Sequence, residues 1–328
     1  MIRPAIKAIK QLALGDADLP QQCAIGLLDP QAEIGIWLER SGGEVEVTNN
    51  HVVACAFPFT VGMELNRQPT TSAPGTPLFL NVRERHGGGR LLANVQLRKS
   101  GALTANGREL SLFHVQSCNH YCLPRPRLWA YELYQSFIRR RSNKDPEIPM
   151  SMRAARAMNV FFICPRPVVL VSVKHEENGN IFPMNLFGAI GNGYFAFALN
   201  TARRAAPFVE RAGRVVLSSI PIGQAELARQ LGKNHRKDSV DWNQLPFATT
   251  ASTEFDFPIP QFALRVREME IEAVRNLGSH TLFFARVIRD ERRAEGLQFC
   301  VIHGLYQAWR LRMSRVQPEK PVEAANHC

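Results

Sequence analysis

Between residues 33 and 59 apolar and polar positions alternate in the two-residue rhythm of half-buried strands. Ile34, Ile36 and Leu38 fall on one side, Ser41-Gly42-Gly43 turns the chain, and Val45 and Val47 begin the return. A second hairpin is predicted where residues 78–85 and 90–98 flank His86-Gly87-Gly88-Gly89, because glycines accept the positive φ of a tight turn without steric cost. Residues 67–77, rich in Pro, Thr and Ser, read as the loop between the hairpins, and residues 110–115 as one more strand. The rhythm then changes. Trp129, Leu133, Phe137 and Ile138 follow Pro126 at helical spacing, which predicts a helix with one apolar face. It ends in Arg139-Arg140-Arg141, and basic residues suit the negative end of a helix dipole, so the triplet implies no ligand. Residues 142–149, with Asn143, Lys144, Asp145 and two prolines, read as a domain boundary.

Beyond the boundary, residues 152–161 read as a short helix and residues 168–173 as a strand, followed by a turn at 176–180. Residues 181–190 and 194–199 are further strands joined by Gly191-Asn192-Gly193. Residues 205–212 have helical spacing, with Phe208 and Val209 inward and Gly213 as the stop. Strands at 215–220, 264–274, 281–289 and 297–303 complete the set. Many short strands and few helices predict a small β-barrel rather than a doubly wound sheet. The expected organisation is a β-rich domain with a helix over 1–142, a second domain over 150–314 and a tail over 315–328. No repeat of the first part is legible in the second.

Length and composition fit this picture. A chain of 328 residues favours two cores over one, and 45% hydrophobic with 21% charged residues is ordinary for a globular protein. No apolar run reaches the roughly 18 residues of a membrane span, and the first residues lack a signal peptide pattern, so no membrane and a cytoplasmic location are expected. Lys plus Arg number 40 against 29 acidic residues, a net +11 scattered along the chain that reads as a solubilising surface. Basic-aromatic interleaving is missing, so no nucleic-acid partner is expected. Seven cysteines, an odd number, argue for reduced thiols. His114, Cys118, His120 and Cys122 bear zinc-type groups but lack a second paired half, and read as strand and loop with no metal.

The order of several motifs adds a sharper signal. Pro165-Arg166-Pro167-Val168 leads into a strand, residues 180–184 open a second, and an apolar third strand follows. Next come a helix ending in Glu-x-x-Gly at Gly213 and the segment Gly278-Ser279-His280-Thr281-Leu282-Phe283. Together they resemble the flavin reductase-like domain over about residues 150–314, with Ser279 standing for the family's Asp and Ala285 for its Gly. The resemblance implies an FMN-binding split β-barrel, with FMN in a groove at a homodimer interface. It implies isoalloxazine and ribityl contacts from Met184, Asn185, Leu186, Phe187, Gly188 and Ala189. The phosphate falls near Asn200, Thr201, Arg203 and Arg204, a hydroxyl and guanidinium forks at a helix start, although the two arginines point different ways on a helix. His235 and Lys237 lie on a variable loop that can close over the cofactor, and His280 would orient the hydride donor as the catalytic residue. Where the family has hydroxyl residues this chain has Asn185, Phe187 and Gly188.

The implied activity is NADH- or NADPH-dependent reduction of FMN, with a partner oxygenase as consumer of the reduced flavin. Hydride chemistry belongs to the cofactors, and consistently no Gly-x-Ser-x-Gly, His-Glu-x-x-His, Walker or Gly-x-Gly-x-x-Gly motif occurs. The alternative is a non-catalytic FMN-binding electron carrier or sensor.

Overall fold

The computed structural model describes residues 22–40, 43–65, 77–86, 88–141 and 150–316. The expected loop at 67–76, the boundary at 142–149, the turn positions Ser41, Gly42 and Gly87, the side chains of the arginine triplet and the far tail lie outside the described residues.

After β1 (Gln22–Leu27), the first half of the chain runs through β2 (Ile34–Arg40), β3 (Gly43–Glu46), β4 (His51–Ala56), β5 (Phe59–Met63), β6 (Leu78–Glu84), β7 (Leu91–Ala105) and β8 (Arg108–His120). Two helices follow, α1 (Arg125–Arg141) and α2 (Met152–Phe161). The second half runs through β9 (Arg166–Pro167), β10 (Val169–His175), β11 (Asn178–Met184), β12 (Phe187–Ala189), β13 (Tyr194–Asn200), α3 (Ala205–Ala212) and β14 (Arg214–Ser219). An insertion holds α4 (Ala225–Leu231) and the hairpin β15 (Thr249–Ala251) and β16 (Pro258–Pro260). Last come β17 (Arg265–Asn276), β18 (His280–Arg292), β19 (Gln298–His303) and α5 (Gly304–Val316).

The fold is mainly β. The second half curls into a half-barrel sheet of seven strands in the order β11-β10-β14-β17-β18-β13-β12. The predicted single strand over 181–190 is two strands, because the chain changes partners: β11 pairs with β10, whereas β12 pairs with β13 at the opposite edge. Residues 184–187 therefore carry the chain from one edge of the sheet to the other. Val169, Val171, Phe182, Phe197 and Phe283 fill the core beneath, with Phe208 and Val209 of α3 packed on it as their spacing predicts. Gly213 ends α3 at φ 66°, a left-handed conformation that side chains with a Cβ resist.

The first half forms a second seven-stranded sheet in the order β3-β2-β6-β7-β8-β5-β4. Replacing β2 to β8, in chain order, by β10 to β14, β17 and β18 reproduces the order of the other sheet at every position. The two halves are thus topological copies, a repeat carried by strand pairing that the residues do not reveal. Ile34, Ile36 and Leu38 point into the first core, each fully buried, as their alternation predicts. The apolar face of α1 behaves otherwise: Trp129, Leu133 and Phe137 are exposed, and Tyr131 and Gln135 turn inward.

The copies pack against each other through β4, which lies on β12, β13 and β18. Val52, Ala54, Leu110 and Leu112 from the first half share one core with Ile190, Ala196, Leu282 and Phe284 from the second. The turns exchange places reciprocally. The β4–β5 turn sits on the start of β18, where the Ser279 N–H donates to the Phe57 carbonyl (2.9 Å). The β12–β13 turn sits at the corresponding end of the first sheet, where the Gly191 N–H donates to Asn50 Oδ1 (3.2 Å) beside the Arg108–Glu64 ion pair. At the far end, β1 pairs with β19 and α2 packs on β8, so the first core also contains residues of the second half.

Candidate functional site

The stretch that crosses between sheet edges opens a cleft of about 180 Å³, lined by Pro183, Met184, Asn185, Leu186, Ala198, Leu199, Asn200, Arg203, His235 and His280. Strand register explains the convergence. On β13 and β18 Asn200 lies directly opposite His280, and Ala198 N–H donates to the Leu186 carbonyl (2.9 Å), which holds the crossing stretch over the end of β13. Arg203 follows within the turn that leads into α3, a turn closed by Asn200, whose Oδ1 accepts from Ala202 N–H (2.9 Å). The result is an apolar wall of Met184, Leu186 and Ala198 with an amide, an imidazole and a guanidinium at its edges.

His280 is buried and its protonation can be read from its partners. Ser279 Oγ–H donates to its Nδ1 (2.8 Å), and the Ala56 N–H, at 3.4 Å, approaches the same atom. With Nδ1 accepting, this pattern assigns the ring proton to Nε2. Burial, and secondarily the charge of Arg203, pushes the imidazole down to about 4, so it is a neutral donor at ordinary pH. Ser279 Oγ in turn accepts the Phe57 N–H (2.9 Å). The β4–β5 turn of the first half therefore orients His280 through Ser279, the residue that departs from the family pattern.

His235 is held firmly. Its Nε2–H donates to the Pro183 carbonyl (2.7 Å) and its ring lies 4.6 Å from that of Phe182. Asn180 donates to the Asn234 and Lys237 carbonyls (3.1 and 2.9 Å) and Asn234 donates back to the Ile181 carbonyl (2.9 Å), so the loop expected to be variable is clamped to β11.

Of the residues singled out from the sequence, seven meet in this cleft: Met184, Asn185, Leu186, Asn200, Arg203, His235 and His280. The others do not line it. Phe187, Gly188 and Ala189 lie along β12 and border a different cavity at the seam between the halves. The Thr201 hydroxyl donates to the Gly278 carbonyl (3.1 Å), and Arg204 faces Asp238 at 3.6 Å, with both side chains largely exposed. Lys237 contributes a carbonyl to the clamp rather than an ammonium to the cleft. Sequence reasoning did not find Pro183, Ala198 or Leu199, nor the roles of Ser279 and residues 55–57. The strand alternation of Ala198 and Asn200 was a usable signal for Ala198; nothing local marks the others.

The match to a known family falls on this half of the chain: the model of the flavin reductase like domain covers residues 161–307. That segment is a flavin reductase like domain. No family model covers the first half, and among curated proteins none matches the chain. Solved structures similar to the chain include an FMN-binding protein from Thermus thermophilus with bound 1-cyclohex-2-enone, at 27% identity over 39% of this chain and 71% of that one, TM-score 0.35. An NADH:FAD oxidoreductase of Streptomyces globisporus matches at 18% identity over 49% and 94%, TM-score 0.41. The styrene monooxygenase flavin reductase of Pseudomonas putida matches at 21% over 45% and 92%, TM-score 0.37.

The flavin reductase like domain carries both the cleft and its polar residues. Among the described residues no group of three or more His, Cys, Asp or Glu side chains is arranged to hold a metal, and no helix is long and apolar enough to cross a membrane. The donor set fits a flavin. A planar apolar wall, an amide that both donates and accepts, a neutral N–H donor and one cation are the groups that a flavin ring and its phosphate call for. The cleft is smaller than the roughly 300–1,000 Å³ of enclosed small-molecule sites, so a ligand of flavin size held there keeps part of its surface in solvent.

Proposed function

We propose that the chain binds FMN in this cleft and passes hydride to it from NADH or NADPH. The observation that carries the reading is the convergence of Asn185, Asn200, Arg203 and His280 beside an apolar wall, inside the segment that matches the flavin reductase like domain. Bound FMN supplies the two-electron acceptor that no protein side chain provides. Met184, Leu186 and Ala198 hold the ring and exclude water, Asn185 pairs with its polar edge, and Arg203 balances the phosphate. His280 presents Nε2–H as a neutral donor where negative charge grows on reduction. Where the resemblance places a second subunit, in our reading the first sheet of the same chain stands, its Phe57 turn reaching the cleft through Ser279 and His280. A reducing, cytoplasmic setting suits the free cysteines, and an oxygenase that consumes reduced flavin is the partner this activity would serve.

One observation favours the second reading, an electron carrier or sensor: the Phe57 turn is seated against Ser279 and His280 beside the cleft, which leaves less room there for a nicotinamide. An anaerobic absorbance titration separates the two. Uptake of FMN followed by bleaching of the visible flavin band on adding NADH or NADPH is expected of a reductase. A yellow protein that neither donor bleaches is a carrier, and failure to take up FMN removes both readings.

A further inference from the structure

The cavity at the seam between the halves shares no lining residue with the flavin cleft. It measures about 400 Å³, within the roughly 300–1,000 Å³ of small-molecule sites. One wall is apolar, built on Phe187 and Phe195, whose rings stack at 6.5 Å. Four cations, Arg166, Arg265, Arg267 and Arg292, also line the cavity together with the carboxylate of Asp29, and Arg292 pairs with Glu295 at 3.1 Å. Arg265 and Arg267 share one counter-charge, Asp290, at 2.6 and 3.1 Å, and the Arg267 guanidinium lies over Phe195 at 4.9 Å.

Arg166 is the telling group. It is 4% exposed, and its Nε donates to the Phe161 carbonyl (3.2 Å) and its Nη2 to His51 Nε2 (2.9 Å). His51 cannot supply negative charge. Its Nδ1 donates to the Val47 carbonyl (2.9 Å), so Nε2 is the lone pair that receives Arg166, and burial holds the ring neutral. Among the described residues no carboxylate pairs with Arg166, and burial keeps the neighbouring Cys164 a neutral thiol that supplies no counter-charge. Two of five N–H donors are thus used on neutral acceptors. A buried guanidinium is strongly disfavoured unless something supplies the counter-charge, and this one borders an open cavity.

We propose that the seam cavity binds a small organic anion, with its carboxylate or phosphate head on Arg166 and its apolar body against Phe187 and Phe195. Residues of both halves line the cavity, with Thr48, Asn49 and His51 facing Phe187 to Ala189. The ligand therefore bridges the seam and strengthens it by mass action.

Isothermal titration of the full chain tests this with three probes: phenyl phosphate, benzoate and inorganic phosphate. Phenyl phosphate or benzoate should bind once per chain, about tenfold or more tighter than inorganic phosphate, because only the organic anions use the aromatic wall. Whichever organic anion binds tighter tells whether the natural head is phosphate or carboxylate. Saturating FMN should leave the isotherm unchanged, which separates this site from the flavin cleft. Arg166→Met should weaken binding about tenfold or more. If circular dichroism shows that variant unfolded, Ala294→Trp, at an exposed position of the rim, takes its place and should block entry. Absence of heat from both organic anions at about 10 mM, displacement by FMN, or undiminished binding in Ala294→Trp overturns the proposal.

Discussion

Two adjacent arginines at the start of α3 have different work. Arg203 lines the cleft beside Asn200 and His280, whereas Arg204 faces Asp238 at 3.6 Å across an exposed surface where an ion pair contributes little. Charge-assisted bonds to phosphate are worth roughly 1.5–3 kcal/mol, so Arg203→Ala should weaken FMN about 10- to 100-fold and riboflavin, which has no phosphate, by no more than about twofold. Arg204→Ala should leave both within about twofold; equal losses of FMN and riboflavin in Arg203→Ala would rule out a phosphate role. Buried histidines give a second prediction. Burial lowers His51 and His303 to about 3 and His120 and His280 to about 4, against 6.5 in the unfolded chain. A depressed histidine means that the unfolded chain binds more protons in that window, so stability is complete above pH 6.5 and falls as pH drops toward 4. Each should forfeit roughly 2 kcal/mol by pH 5. Thermal unfolding at pH 7, 6 and 5 should show a progressive fall in Tm, and a flat profile would mean that these rings are not held neutral.

Where β12 crosses β4, Gly188 is required by close approach rather than by φ: a Cβ there would collide with the carbonyl group of His51. Gly188→Val should push the two strands apart and cost about 3 kcal/mol or more, read as a lowered urea midpoint; a midpoint within error of the parent would show that the seam is not tightly packed. This contact also marks where sequence stops being informative. The helix α3 and its Gly213 stop were legible, because an apolar face and a left-handed glycine are local signals. The cleft residues on Met184 to Leu186, Asn200, Arg203 and His280 were legible through their motifs. Phe187 to Ala189 were expected at the same site, yet the β12 pairing carries them to the seam, a consequence of a partner switch from β10 to β13 that no local pattern encodes. The apolar face of α1 shows the same limit: spacing gives a face but not what it meets, and Trp129 stands 66% exposed. Ser279 was read as a missing carboxylate; its real partner, Phe57, is 222 positions away.

Across the whole molecule, the matching strand orders and exchanged turns give the chain an internal two-fold character. The symmetry is broken at the chemistry. Where the second half places Asn200 and His280 at its cleft, the corresponding end of the first sheet holds the Glu64–Arg108 ion pair at 3.3 Å, with Arg108 also over the Tyr194 ring at 4.7 Å. Those groups already satisfy one another, so one FMN per chain is expected rather than two. The halves are also inseparable energetically. Ile190, Ala196, Leu282 and Phe284 are fully buried, and their packing partners Val52, Ala54, Leu110 and Leu112 belong to the first half, so a chain lacking that half would present a contiguous apolar patch to water. Trp309 and Leu305 of α5 close the first core in return, with Trp309 Nε1–H donating to Glu84 (2.6 Å). The full chain should therefore scatter light as a monomer of 36.9 kDa, saturate at one FMN, and unfold in one transition that tryptophan fluorescence and circular dichroism report at the same denaturant concentration. Residues 150–328 alone should aggregate. Two separated transitions, or a soluble fragment with full flavin affinity, would show that the first half is an appendage that the second does not need.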